Sequence, residues 1–230
     1  MTTKQSRVIV VDDHPIVRQG LTQMINRDGD LIVCGEAEEA RSALQAIATL
    51  SPDIVVIDIS LNGPSGLEIL KTIRQTDPAL RVLILSMHDE MVYAERALRA
   101  GANGYIMKQE ATEMVLVAIR RILGGEVYVS NRVANRMLRQ LVGGAPSSRK
   151  SPVDDLTDRE LEVFRLIGEG HGTRQISDEL HLSVKTVETY QSHIKEKMGL
   201  RNARELVQYA IQWAISESGS VENQPVSGKP

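Results

Sequence analysis

The 230-residue chain has room for one large or two ordinary domains, and its 42% hydrophobic and 25% charged residues are those of a globular protein. Its longest apolar runs, such as Val8 to Val11 and Ile54 to Ile57, fall far short of the roughly 20 residues that cross a bilayer. No signal-like block follows the N-terminus, so a cytoplasmic location and no membrane partner are expected. The net charge of −3 excludes nucleic-acid binding by bulk charge alone; any such binding has to rest on local arrangement.

Residues 5–125 alternate short β-branched runs with amphipathic stretches, the pattern of parallel strands joined by crossover helices. Strands are predicted at 7–11, 31–35, 54–57, 82–85 and 104–107. Helices are predicted near 15–26, 39–50, 66–75, 91–100 and 112–123. Five of each imply an α/β fold, a doubly wound, flavodoxin-like parallel sheet covered on both faces. The single cysteine, Cys34, lies in the run Leu31-Ile32-Val33-Cys34 and reads as a buried, inert thiol of a reducing compartment.

Open sheets of this kind bind ligands beyond the carboxyl ends of their strands, where the strand order reverses. Polar groups stand at four such ends: Asp12 and Asp13 after the first strand, Asp58 at the third, Ser86 at the fourth and Lys108 at the fifth. With the order 2-1-3-4-5, the first and third strands are neighbours and Asp13 converges with Asp58. Crowded carboxylates repel unless a cation offsets them, and a hard divalent ion with oxygen ligands, Mg²⁺, is the natural occupant. Asp58 is then placed to attack a phosphoryl group. Asp13, Asp58 and the backbone carbonyl of Ser60 would hold the metal, with Asp12 acting directly or through water. Lys108 and the Ser86 hydroxyl would meet phosphoryl oxygens. Singly these residues have plainer readings: Asp13 before His14-Pro15 suits a helix N-cap, and a serine or lysine ending a strand is ordinary surface chemistry. Asp58 ends an apolar run and has to be solvated, paired or functional. The agreement of four strand ends carries the functional reading.

The motifs Val10-Val11-Asp12-Asp13-His14-Pro15, Val56-Ile57-Asp58, Leu85-Ser86 and Tyr105-Ile106-Met107-Lys108 resemble the receiver domain of two-component response regulators. The resemblance implies that Asp58 is the phosphoacceptor, Ser86 the switch hydroxyl, and Tyr105 the aromatic that turns when Ser86 is drawn to the phosphate. As a residue, Tyr105 is equally accounted for by packing. Where the family commonly carries Met-Pro after the phosphoacceptor, this chain has Leu61-Asn62-Gly63-Pro64, while Gly66 keeps its expected offset from Asp58.

After Gly124-Gly125 the alternation stops, and residues 126–151 read as a linker with a helical segment at 132–141 followed by Gly143-Gly144-Ala145-Pro146-Ser147-Ser148. Residues 152–216 show no strand-like run, only four predicted helices at 158–168, 174–180, 184–198 and 203–215, a small all-α domain. Thr157 and Glu160 make a capping box, and Ser183 suits the N-cap of the third helix. That helix buries Val184, Val187, Ile194 and Met198 at three-to-four-residue spacing and turns Lys185, Glu188, Thr189, Ser192 and Lys195 outward. Two short helices at a tight turn, the second polar outside, form the helix-turn-helix pattern whose second helix enters the DNA major groove. Residues 217–230 are small and polar and read as a disordered tail.

The second domain, from Leu156-Thr157-Asp158-Arg159-Glu160 through Ser183-Val184-Lys185-Thr186-Val187 to Met198-Gly199-Leu200, resembles the LuxR/NarL-type DNA-binding domain, and the whole chain resembles a NarL/FixJ-family response regulator. The resemblance implies a sensor histidine kinase and double-stranded DNA as partners, a homodimer when phosphorylated, possible contact with RNA polymerase, and regulation of transcription, activation before repression, in place of an enzyme. Candidate DNA contacts are Lys185, Thr186, Glu188, Thr189, Ser192, Lys195, Lys197 and Arg201. The last helix would dimerise through Val207, Ala210, Ile211 and Ala214, a stripe that core packing explains equally well. Glu188 stands where a basic or neutral residue is more usual; a carboxylate there repels phosphate but accepts from cytosine N4, favouring specificity over affinity. Between residues 172 and 204, six basic side chains face four acidic ones, so weak monomer binding that needs dimerisation is expected.

Overall fold

The β-branched runs form five parallel strands, β1 (Ser6–Val11), β2 (Leu31–Ala37), β3 (Ile54–Asp58), β4 (Arg81–Ser86) and β5 (Gly104–Met107), in the spatial order β2-β1-β3-β4-β5. The structure, a computed structural model, describes residues 5–61, 63–142 and 152–219. It divides into two compact units, residues 1–145 and 146–230.

In unit 1, helices α1 (Pro15–Asn26), α2 (Ala40–Leu50), α3 (Gly66–Thr76), α4 (Glu90–Arg99) and α5 (Ala111–Leu123) alternate with the strands. The strands are apolar on both faces because both faces are covered. Val8, Val10, Ile54, Val56, Leu83 and Leu85 pack with Leu21 and Ile25 of α1 and Val115 and Ile119 of α5. Each such side chain contributes roughly 1.5–3 kcal/mol by leaving water. Strand register then sets the site. Val11 lies beside Ile57, Asp58 beside Leu85, and Ser86 beside Met107. The strand-end polar residues therefore come level along one edge of the sheet.

Gly66 opens α3 where a Cβ would lie 2.1 Å from the Asp58 carbonyl oxygen, so only glycine lets the loop after β3 fold back on itself. Its N–H donates to the Ile59 carbonyl at 2.9 Å, and Ser65 caps α3 by accepting from Glu68 N–H. Of the loop Leu61-Asn62-Gly63-Pro64, Asn62 lies outside the described residues.

Three expectations change in unit 1. The edge strand β2 continues two residues past its expected end, with its register shifted opposite Val8 and Ile9 of β1, and Cys34 is half-buried because only one neighbour strand covers it. Part of the expected linker belongs to unit 1. Tyr128 N–H donates to the Asn103 carbonyl and Tyr105 N–H to the Tyr128 carbonyl, both at 2.9 Å, which extends the sheet past β5. Gly104 admits this approach, since a Cβ there would meet Tyr128 O at 2.8 Å. Helix α6 (Asn131–Val142) follows, with Val133 buried and the helix packed on α4. The Gly143 to Ser148 stretch lies outside the described residues.

Unit 2 is the expected four-helix domain: α7 (Asp158–Gly168), α8 (Thr173–Glu179), α9 (Val184–Met198) and α10 (Ala203–Gly219), preceded by a 3₁₀ turn at Pro152–Asp155. Its core joins Leu161, Phe164, Ile176, Val187, Ile194, Leu206 and Ala210. Phe164 packs against Tyr209 and Trp213 of α10. Both predicted caps form, the Thr157/Glu160 box and Ser183 accepting from Thr186 N–H at 3.0 Å. Two side chains expected inside α9 are not fully buried: Val184, in its first turn, is 39% exposed, and Met198 is half-buried. Helix α10 runs to Gly219, three residues into the expected tail; residues 220–230 lie outside the described residues. Its expected stripe divides, with Ala210 buried against Gly168 while Val207 and Ile211 face outward.

Candidate functional site

The strand ends converge on Lys108. Its Nζ lies 2.7 Å from Asp12 Oδ2 and 2.7 Å from Asp58 Oδ2, and both carboxylates are 1% exposed. Asp58 Oδ1 accepts from Ser60 N–H at 3.2 Å, and Asp12 Oδ1 accepts from His14 N–H at 2.8 Å. That last bond, and not an Asp13 cap, starts α1, since His14 holds the N-cap position. Backbone bonds fix Lys108 in turn, its N–H donating to the Ser86 carbonyl at 2.7 Å.

Burial pushes the Asp58 carboxyl up; Lys108 opposes this and Asp12 adds to it, leaving the group at about 6. Burial alone would lower the Lys108 ammonium, but Asp58 and Asp12 outweigh it and hold it above its ordinary value. One ammonium thus lies against Asp12 and Asp58, with the Asp13 carboxylate in the same cluster.

Ligand atoms of Asp12, Asp13, His14 and Asp58 all lie within 4.8 Å of one another. Asp12 Oδ2 and Asp13 Oδ1 are buried, each with one nitrogen neighbour at 2.7 Å, Lys108 Nζ and His14 Nδ1. Clustered carboxylate oxygens, in a set carrying more negative charge than one ammonium offsets, fit a hard divalent cation such as Mg²⁺.

Ser86 and Tyr105 also meet. The Ser86 Oγ accepts from His88 N–H at 3.0 Å, and the Tyr105 O–H donates to the His88 carbonyl at 2.9 Å. Tyr105 is buried, and burial raises its phenol so that it keeps its proton, with Ser86 close enough to temper the shift. Two residues beyond the sequence reading join the site. The His88 ring meets the Ser60 hydroxyl at 2.8 Å and stacks on Tyr93, while His14 stands beside both aspartates. His14 was signalled by adjacency to Asp12-Asp13. His88 carried no signal, because its contact depends on two loops meeting.

On α9, Lys185, Glu188, Thr189 and Ser192 are exposed, and an open groove is lined by Ser183, Lys185, Thr186, Thr189 and Tyr190. Thr186 is half-buried with its hydroxyl on Ser183, and the hydroxyls of Thr189 and Ser192 donate to the carbonyls of Lys185 and Glu188. Arg201 is exposed and Lys195 half-buried. Lys197, also among the expected DNA contacts, places Nζ 2.6 Å from Glu160 Oε2. Burial raises Glu160, but Lys197 and the Thr157 bonds hold it below its ordinary value, so this pair braces α7 against α9.

Two family models match the chain: the response regulator receiver domain over residues 8–120, and the bacterial regulatory proteins of the luxR family over residues 154–210. The oxygen regulatory protein NreC of Staphylococcus aureus (strain MRSA252) is 35% identical over 215 residues, which cover 92% of this chain and 99% of NreC. The chain belongs to the LuxR-type response regulators. As such it is a two-component response regulator, a receiver joined to a helix-turn-helix DNA-binding domain, in a family of transcriptional regulators. A LuxR-family two-component response regulator from Aurantimonas sp. SI85-9A1 is 39% identical, with a TM-score of 0.56, over 60% of this regulator and 99% of that chain. RcsB from Salmonella enterica serovar Typhimurium, bound to promoter rprA in the presence of the phosphomimetic BeF3⁻, shares the fold at 24% identity. Its TM-score is 0.57 over 90% of this regulator and 99% of RcsB. Among the described residues, no helix is long and apolar enough to cross a membrane.

The direction of the Asp58 shift has a stability consequence. A carboxyl raised to about 6 in the fold, against 3.8 unfolded, favours folding only while protonated, so its contribution is full below pH 4 and is lost as pH rises through 6. Asp58→Asn should therefore raise the stability of the metal-free protein at pH 8 by about 1–3 kcal/mol, with the gain shrinking toward pH 4. Urea denaturation at both pH values checks this.

Proposed function

We propose that the regulator is phosphorylated on Asp58 in the presence of Mg²⁺ and that the phosphoryl group controls sequence-specific DNA binding by unit 2. The observation that carries this reading is Asp58 itself: a buried carboxylate at a strand end, beside Asp12 and Asp13, with the Lys108 ammonium 2.7 Å from its oxygen. At neutral pH a group titrating near 6 is mostly the carboxylate, the nucleophilic form. Its oxygen attacks phosphorus as the P–N bond of a sensor kinase phosphohistidine, or the P–O bond to acetate in acetyl phosphate, breaks and the leaving group keeps the electron pair. Asp13, Asp58 and the Ser60 carbonyl would hold Mg²⁺, with Asp12 direct or through water. Bound there, the ion neutralises charge on the transferring phosphoryl oxygens. Lys108 pairs with one of those oxygens. Ser86 donates to another, and Tyr105 follows the loop that Ser86 draws with it.

On this reading the product is a phosphorylated homodimer that places two copies of α9 on a repeated site. RcsB, of the same fold, has been solved as dimers bound to DNA, which supports the expectation. Activation of transcription, by a cytoplasmic protein that also meets RNA polymerase, fits the reading better than repression, and free phosphate esters are not turned over. Lys185, Thr186, Glu188, Thr189, Ser192, Lys195, Lys197 and Arg201 remain the proposed DNA contacts, Lys197 bracing Glu160 as well.

Incubation of the full chain with acetyl phosphate and Mg²⁺ should add one phosphoryl group by mass spectrometry, and Asp58→Asn should add none; modification that survives the substitution contradicts the assignment. Glu188→Ala should relax sequence preference and strengthen binding to random DNA in a competition binding assay. If both stay at wild-type values, Glu188 does not face the groove.

A further inference from the structure

The loop that carries the switch groups is held from outside the phosphorylation site. Arg132, at the second position of α6, sends Nη2 to Asp89 Oδ1 at 3.1 Å and Nε to Glu90 Oε1 at 3.2 Å. Asp89 is the N-cap of α4, its carboxylate accepting from Met91 N–H at 2.7 Å, and Glu90 is the buried first residue of that helix. One turn along α6, Arg136 donates to the Met91 carbonyl at 3.1 Å. Two guanidinium groups of α6 therefore grip the first turn of α4.

That first turn follows directly on the switch segment. Ser86 Oγ accepts from His88 N–H, His88 O accepts from the Tyr105 O–H, and Asp89 comes next. Tyr105 is also tied to the start of the same C-terminal segment, its N–H donating to Tyr128 O. Residues 126–142 thus hold the switch at two places, through Tyr128 on β5 and through Arg132 on α4. Ser86 Oγ moving toward a phosphoryl group on Asp58 either gives up the bond from His88 N–H or draws with it the chain from His88 to Glu90, which carries both Arg132 contacts.

We infer that Arg132 is a positioning residue for phosphorylation of Asp58: its pairing with Asp89 and Glu90 holds the β4–α4 loop in the arrangement seen, and recruitment of Ser86 by the phosphoryl group works against it. The coupling is reciprocal by linkage, so phosphorylation loosens α6, the last helix before unit 2. This rests on the proposed role of Asp58. The Arg132 pairs are part-exposed, so an effect of up to about fivefold is expected.

The test uses the full chain, with acetyl phosphate and Mg²⁺. The initial phosphorylation rate should rise in the order wild type, Arg132→Lys, Arg132→Ala, Arg132→Glu, because lysine keeps the charge without the fork that reaches both carboxylates. A merely structural role would lower the melting temperature without producing that order. Equal rates, or a slower Arg132→Ala, overturn the inference. In the wild type, hydrogen exchange of amides 133–142 should quicken on phosphorylation; unchanged or slower exchange overturns it independently of any variant. If phosphorylation is absent, or persists in Asp58→Asn, the Asp58 reading itself has failed. If Asp58 is phosphorylated normally and only the Arg132 order is lost, this inference alone falls.

Discussion

The site depends on one ammonium held between two buried carboxylates. Lys108 can sit 2.7 Å from both Asp12 and Asp58 only because the parallel register of β1, β3, β4 and β5 brings four strand ends level. Gly66 lets the loop after β3 turn tightly beside Asp58. A single positive charge does not neutralise three aspartates, and burial weakens the screening that water would supply. The crevice is thereby biased toward a second, divalent cation, and the Asp58 carboxyl is pushed up to about 6.

The same constraint reaches outward through hydrogen bonds. Lys108 N–H is bonded to Ser86 O, Ser86 Oγ to His88 N–H, and His88 O to the Tyr105 hydroxyl, which links Ser86 to the β4–α4 loop. Residues 126–142 grip that loop and the sheet edge together. Unit 2 has its own internal balance. Lys197 is taken up by Glu160 and Arg159 by Glu162, while the exposed face of α9 keeps Lys185 beside Glu188. A reading face with mixed charge gains less from phosphate attraction and more from base choice.

Most of the fold was legible because its signals are local. Short apolar runs mark every strand, the Thr157/Glu160 box and Ser183 mark helix starts, and the strand-end rule brings Asp12, Asp13, Asp58, Ser86 and Lys108 together. What escaped depends on contacts distant in sequence. His88 meets Ser60 across 28 residues and Arg132 meets Glu90 across 42, with no periodic pattern to announce either. The packing of residues 126–142 was hidden by the Gly143-Gly144 signal that follows and by a Tyr128 contact made through backbone atoms alone. Val184 looked like core by spacing, yet it lies in the first turn of α9, where neighbouring helices do not reach around it. Helix α10 continued into Ser-Glu-Ser-Gly, residues of modest helix propensity.

Lys108 and a divalent cation compete for the same carboxylates, and calorimetric titration of Mg²⁺ into the metal-free full chain measures that competition. Lys108→Met should bind one Mg²⁺ several-fold more tightly than the wild type, since removing the ammonium leaves Asp12 and Asp58 uncompensated, while Asp13→Asn should weaken binding. Lys108→Met binding no more tightly than the wild type would mean that the ammonium and the cation do not compete for these carboxylates.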